Sequence, residues 1–70
     1  MNLAEIGSRI KYARELRGLT MAELAARVGV NKSTVKRYED ALIANPKLPA
    51  LQSIALALGV SPAWLLCKSE

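Results

Sequence analysis

An all-α fold, a compact bundle of five short helices, is what this 70-residue sequence predicts. Three observations carry that expectation. Apolar residues recur at intervals of three and four in successive blocks, the blocks are separated by glycine or proline with hydroxyl or amide side chains beside them, and no segment reads as a strand, repeat, linker or low-complexity tract.

Each element follows in order. Leu3, Ile6, Ile10 and Ala13 give a first helix from about Leu3 to Arg17, ended by Gly18. Leu19 leads into a second helix opened by a capping box, Thr20 with Glu23, and Glu23 also stands four residues before Arg27. Leu24, Ala25 and Val28 form its inward stripe and Gly29 stops it. Asn31 is an N-cap type for a third helix running to about Asp40. The stretch from Leu42 to Pro49, with Asn45-Pro46 and a second proline, reads as a loop. Leu51, Ile54, Ala55 and Leu58 mark a fourth helix closed by Gly59, and Ser61-Pro62 starts a short fifth one carrying Trp64, Leu65 and Leu66.

Within this string, Thr20 to Glu39 has the residue types of a helix-turn-helix. Ala25 is small enough for a second helix to pass near its backbone, Gly29 can take the positive φ that ends the first helix, and Val35 can wedge back against Leu24 and Val28.

Composition points the same way by exclusion. Seventy residues are expected to form one domain, residues 1–70, burying about 60% of the surface of the unfolded chain, with little room for a catalytic cleft beside the core. No apolar run approaches the roughly 18 residues of a membrane span, and a cytoplasmic protein is expected. One cysteine, Cys67, and no histidine argue against a disulfide, a structural metal or any cofactor. No nucleophile, base and oxyanion donors cluster in the sequence, so an enzyme is not expected.

Charge is uneven along the chain. Through Arg37 the balance is +5, whereas from Tyr38 onward Lys47 and Lys68 face Glu39, Asp40 and Glu70 for a balance of −1. The positive end coincides with the helix-turn-helix, as attraction to phosphates requires. Lys11, Arg17 and Arg27, taken singly, serve equally well as charges that keep helices solvated. On the third helix a rotation of about 100° per residue puts Lys32 at zero, Lys36 near 40°, Ser33 near 100° and Arg37 near 140°, with Thr34, Tyr38 and Val35 between roughly 200° and 300°. One arc thus carries three cations and a hydroxyl, taken as free of acids and narrow enough for a major groove, while the other packs on helix two.

With these residues in view, the chain resembles the helix-turn-helix domain of lambda-type phage repressors, Cro-like proteins and xenobiotic-response-element regulators of bacteria. The resemblance rests on Ile6-Gly7-x-Arg9-Ile10, Leu24-Ala25-x-x-x-Gly29-Val30, Ser33-Thr34-Val35-x-Arg37-Tyr38-Glu39, Leu51-x-x-Ile54-Ala55-x-x-Leu58-Gly59-Val60 and Trp64-Leu65. It implies a sequence-specific regulator of transcription, repressor-like, or the DNA-binding domain of a longer one, encoded by a bacterium or phage. Its partner would be double-stranded DNA with a palindromic operator, bound by a homodimer whose half-sites lie roughly 34 Å apart, a spacing that the general rule draws from this same family. Lys32, Ser33 and Arg37, with Lys36 between them, would read base edges, guanine O6 and N7 being the best acceptors for Arg and Lys. Thr20, Asn31, Thr34 and Tyr38 would serve the DNA backbone, although Thr20 and Asn31 are also plain helix caps and Tyr38 most often packs inside. Arg14 and Glu39 would form a salt bridge from helix one to the end of helix three.

Some positions depart from the family pattern. Met21 stands where many relatives place a glutamine that clamps the DNA backbone, and it cannot donate a hydrogen bond. Ala41 stands where relatives have glycine, so the loop after Asp40 is expected to turn differently rather than strain Ala41 by about 1 kcal/mol in a left-handed conformation. Cys67 occupies another position where relatives often have glycine. An antitoxin-like protein-interaction module is the alternative function, kept open by 51% hydrophobic residues. RNA binding lacks a stacking platform, since Trp64, Tyr12 and Tyr38 are the only aromatics.

Overall fold

The structure, a computed structural model, describes residues 2–67. The charges of Lys68 and Glu70 therefore lie outside the described residues. Five helices follow one another, α1 (Leu3–Leu16), α2 (Met21–Val28), α3 (Lys32–Glu39), α4 (Leu48–Leu58) and α5 (Pro62–Leu65), and the described residues contain no strand. Ile6, Ile10 and Ala13 of α1, Leu24 and Ala25 of α2, Val35 of α3, Leu51, Ile54, Ala55 and Leu58 of α4 and Leu65 of α5 make one core. Every helix contributes to it, because each is too short to hold its fold without a packed face.

Helix starts and stops follow local chemistry. Asn2 caps α1 by accepting the Glu5 N–H at 3.0 Å. At Thr20 the capping box is complete: the hydroxyl accepts the Glu23 N–H at 3.0 Å and the Glu23 carboxylate accepts the Thr20 N–H at 2.8 Å. Ser61 Oγ caps α5 by accepting from Ala63 at 3.1 Å. Asn31 occupies the N-cap of α3, but its side chain makes no capping hydrogen bond, contrary to the role its residue type suggests.

Two further expectations are corrected. Leu42 to Pro49 is not loop throughout, since α4 begins at Leu48 and takes Pro49 into its first turn. Proline is tolerated there because the first-turn N–H groups have no intrahelical acceptor, the same reason that Pro62 opens α5. The turn after α3 keeps its left-handed residue: Ala41 has φ 58°, and the chain closes through Leu42 N–H to Arg37 O at 2.8 Å and Ala41 N–H to Tyr38 O at 3.2 Å. Those two bonds satisfy carbonyls that the helix end would otherwise leave bare, and they outweigh the strain of a Cβ at positive φ.

The crossing of α1 with α3 is tight at Gly7. A Cβ there would stand 2.5 Å from the Glu39 carbonyl oxygen and 2.6 Å from that of Tyr38, both backbone atoms with no room to move. Glycine at this position lets α1 bring Arg14 alongside the end of α3.

Candidate nucleic-acid interface

The supports of α3 come from its sequence neighbours. Ala25 and Val35 are buried in the shared core, with Val28 packed against it, and Gly29 ends α2 at φ 80°, so the chain turns at once toward Asn31. From the other side, Arg14 grips the C-terminal end. Its Nε donates to Glu39 Oε2 at 2.6 Å, its Nη2 to Glu39 Oε1 at 3.0 Å and its Nη1 to the Leu19 carbonyl at 2.9 Å. The pair is nearly closed to solvent, with side chains 9% and 4% exposed, and the Glu39 carboxylate raises the Arg14 pKa above the ordinary arginine value. One guanidinium thus ties α1, the start of α2 and the end of α3 together.

The opposite side of α3 is open. Lys32, Ser33, Lys36 and Arg37 are all exposed, whereas Val35 is buried and Thr34 and Tyr38 are half-buried. The four residues expected at base edges therefore share one solvent-facing arc. Among the described residues no hydrogen bond or ion pair engages the side chain of Lys32, Ser33 or Arg37. Lys36 is different. Its ammonium lies 2.8 Å from Asp40 Oδ2, which raises its pKa above the usual lysine value, so the arc does hold an acid. Asp40 follows α3 at helical rotation, its N–H bonded to the Lys36 carbonyl at 2.9 Å, and that places its carboxylate beside Lys36.

The residues expected at the DNA backbone divide. Thr20 and Asn31 are exposed at the starts of α2 and α3, where uncapped N–H groups face outward. Thr20 is committed to its capping box, and the amide of Asn31 makes no capping bond to the helix. Thr34 and Tyr38 are not brought to the exposed arc. Tyr38 packs against the core and lines a small cleft with Leu3, Ile6, Ala41, Ile43 and Pro46.

Other cations are used elsewhere. Arg9 lies over the Trp64 ring, 5.1 Å from its centre, donates to the Trp64 carbonyl and stands 3.8 Å from Glu5. It straps α5 to α1. Trp64 is half-buried, packed on the core and 6.4 Å from the Tyr12 ring. The guanidinium of Arg17 lies against Gly59. Met21 is half-buried against the core. Cys67 is half-buried at φ 63°, and burial raises its thiol pKa above the usual range. No group of three or more potential metal ligands occurs among the described residues, and none of their helices is long and apolar enough to cross a membrane.

Comparison with known proteins places this arrangement. The family model described as helix-turn-helix matches residues 10–65. The HTH-type transcriptional regulator SinR of Bacillus licheniformis is 39% identical over 65 residues, 93% of this chain and 59% of that protein. SinR of Bacillus subtilis is 39% identical over 61 residues, 87% of this chain and 55% of that protein, so the chain spans less than two thirds of the curated relatives it matches. The crystal structure of SinR, the master regulator for biofilm formation, in complex with DNA superposes with a TM-score of 0.81 at 39% identity, covering 87% of this chain and 97% of that one. The restriction-modification controller protein C.AhdI from Aeromonas hydrophila gives 0.84 at 30% identity, over 90% of this chain and 94% of that one. The DNA-binding domain of the P22 C2 repressor gives 0.81 at 29% identity, over 94% of this chain and 86% of that one. With its five helices, its tight α2–α3 turn and these relatives, the chain belongs to the helix-turn-helix family.

Proposed function

We propose that this chain is a sequence-specific, double-stranded DNA-binding regulator of transcription, repressor-like, or the DNA-binding domain of a longer regulator. It lays α3 in the major groove and acts as a homodimer on a palindromic operator. The observation that carries this reading is the division of α3: one side is locked into the core through Val35 and Glu39, and the other offers Lys32, Ser33, Lys36 and Arg37 to solvent. A rigid helix with donors on one side suits the guanine O6 and N7 acceptors of a groove edge. Thr20 and Asn31, at two helix starts on the flanks of that helix, join the backbone N–H groups there in contacting phosphates on this reading. The SinR structure bound to DNA and the P22 C2 repressor domain support the assignment.

Selection from random duplexes followed by footprinting tests it, since the recovered site gives sequence and symmetry together. Arg37→Ala is expected to cost about 1 to 3 kcal/mol on the selected duplex and to relax the choice of one base pair, with little effect on random duplex. Equal loss on both duplexes removes Arg37 from base reading. A second reading, a protein-interaction module, draws on the exposure of Leu16 and Leu56, 73% and 76%. It requires that no footprint form and that partner affinity depend little on salt.

A further inference from the structure

The exposed arc of α3 carries an anion near its middle. At 100° per residue Asp40 falls about 80° from Lys32, between Lys36 at about 40° and Arg37 at about 140°. Its Oδ2 lies 2.8 Å from Lys36 Nζ, with the two side chains 45% and 62% exposed. Helix stability does not call for an acid here. A carboxylate at the negative end of a helix is unfavourable, and an exposed pair four residues apart returns little. The neighbouring acid, Glu39, is turned inward and held by Arg14, so of the two acids at the end of α3 it is Asp40 that stands on the exposed arc. On a surface that approaches phosphates, such a charge acts against binding unless it does something else.

We propose, resting on the reading of α3 as the groove helix, that Asp40 is a positioning residue for sequence discrimination: it holds Lys36 along the helix and away from the phosphate backbone. An ammonium has three N–H donors. One is taken by Asp40, and two remain for a guanine edge that lies against the arc, so a matched base keeps the contact without breaking the pair. A phosphate reached by swinging Lys36 outward requires the pair to break and brings Asp40 near a second anion. Random duplex, held almost wholly through phosphates, therefore loses a cation that the matched site retains.

Asp40→Asn keeps the size of the side chain and removes its charge. Anisotropy titrations of the full chain against the selected duplex and a random duplex of equal length, from 50 to 200 mM salt, read the effect. The variant is expected to bind random duplex about three- to tenfold more tightly at the lowest salt and to steepen its log–log salt slope by about 1, the weight of one added phosphate contact. The selected duplex should change by less than about twofold, so that the preference falls; these sizes follow from one freed cation. In a Lys36→Met background less than half of the random-duplex shift should survive. An unchanged random-duplex affinity, equal tightening on both duplexes, or a shift that survives by half or more without Lys36 each overturns the proposal. Wild-type chain that selects a site while Asp40→Asn changes nothing defeats this inference alone. Wild-type chain that binds no duplex defeats the groove reading and this one with it.

Discussion

Ala41 shows how much a single position can hold in reserve. Its φ of 58° belongs to the region where glycine is at ease and a Cβ crowds the following carbonyl. The hydrogen bonds that close the turn are already made, so they would not change on substitution. Ala41→Gly is therefore expected to stabilise the chain by about 1 kcal/mol, less whatever contact the lost methyl made beside Leu3 and Ile6. Urea denaturation at neutral pH measures it, and a variant no more stable than the wild type would mean that the methyl matters more than the strain. The residue type at position 41 is plain from the sequence, but whether chain or turn yields is not, because residue type does not show whether the bonds closing onto Arg37 and Tyr38 outweigh the strain of a Cβ. Asp40 is the opposite case. Its place on the exposed arc follows from helical rotation alone, since position 40 lies one turn beyond Lys36 on the same side.

Among the elements, α2 has the most explicit local code. Both halves of its capping box form, and the Thr20 backbone N–H, with help from the Thr20 hydroxyl, holds the Glu23 carboxyl below its usual pKa. A carboxyl lowered in the folded state stabilises that state above its unfolded pKa, and the benefit is lost as pH falls through the folded value. Glu23→Gln, which keeps an acceptor but not the charge, should thus cost stability at pH 7 and progressively less as pH falls below the usual carboxylate value of about 4 and through the lower folded value. Thermal melts of the two proteins at pH 7 and at about pH 2.5 compare these limits. A gap that persists in acid would assign the loss to hydrogen-bond geometry instead. The same local code made α1, α2, α3 and α5 legible from sequence. It is ambiguous at the start of α4, because Pro49 reads equally as a loop residue and as a first-turn residue, where proline breaks nothing. For Asn31 the residue type suits a cap, yet its side chain makes no capping bond to the helix.

At the scale of the whole molecule, the bundle serves to hold one short helix at a fixed tilt. Periodicity reveals which faces turn inward but not where the helices cross, so the Arg14–Glu39 contact is implied by family resemblance alone and the close approach at Gly7 is visible only in the structure. The ion pair is the chief polar tie across that crossing. Its guanidinium has three hydrogen bonds to two acceptor groups and no polar atom of the pair is left unpartnered, which offsets the desolvation of both charges. Removing one partner leaves the other charge buried. Arg14→Ala or Glu39→Ala is accordingly expected to cost on the order of 3 kcal/mol or more, a large share of the roughly 5 to 15 kcal/mol that natural domains possess. Replacing the two together, Arg14→Met with Glu39→Leu, should cost clearly less than the sum of the single losses, since no charge is then stranded. Equilibrium unfolding of the four proteins gives the coupling. Losses that simply add would mean that each side chain acts by its own packing and that the pair does not fix the tilt of α3. A strong coupling, by contrast, should extend to DNA. In that case the double variant, folded but with α3 no longer tied to α1, should lose preference for its selected duplex while random-duplex binding persists, because base reading depends on helix orientation and phosphate attraction does not.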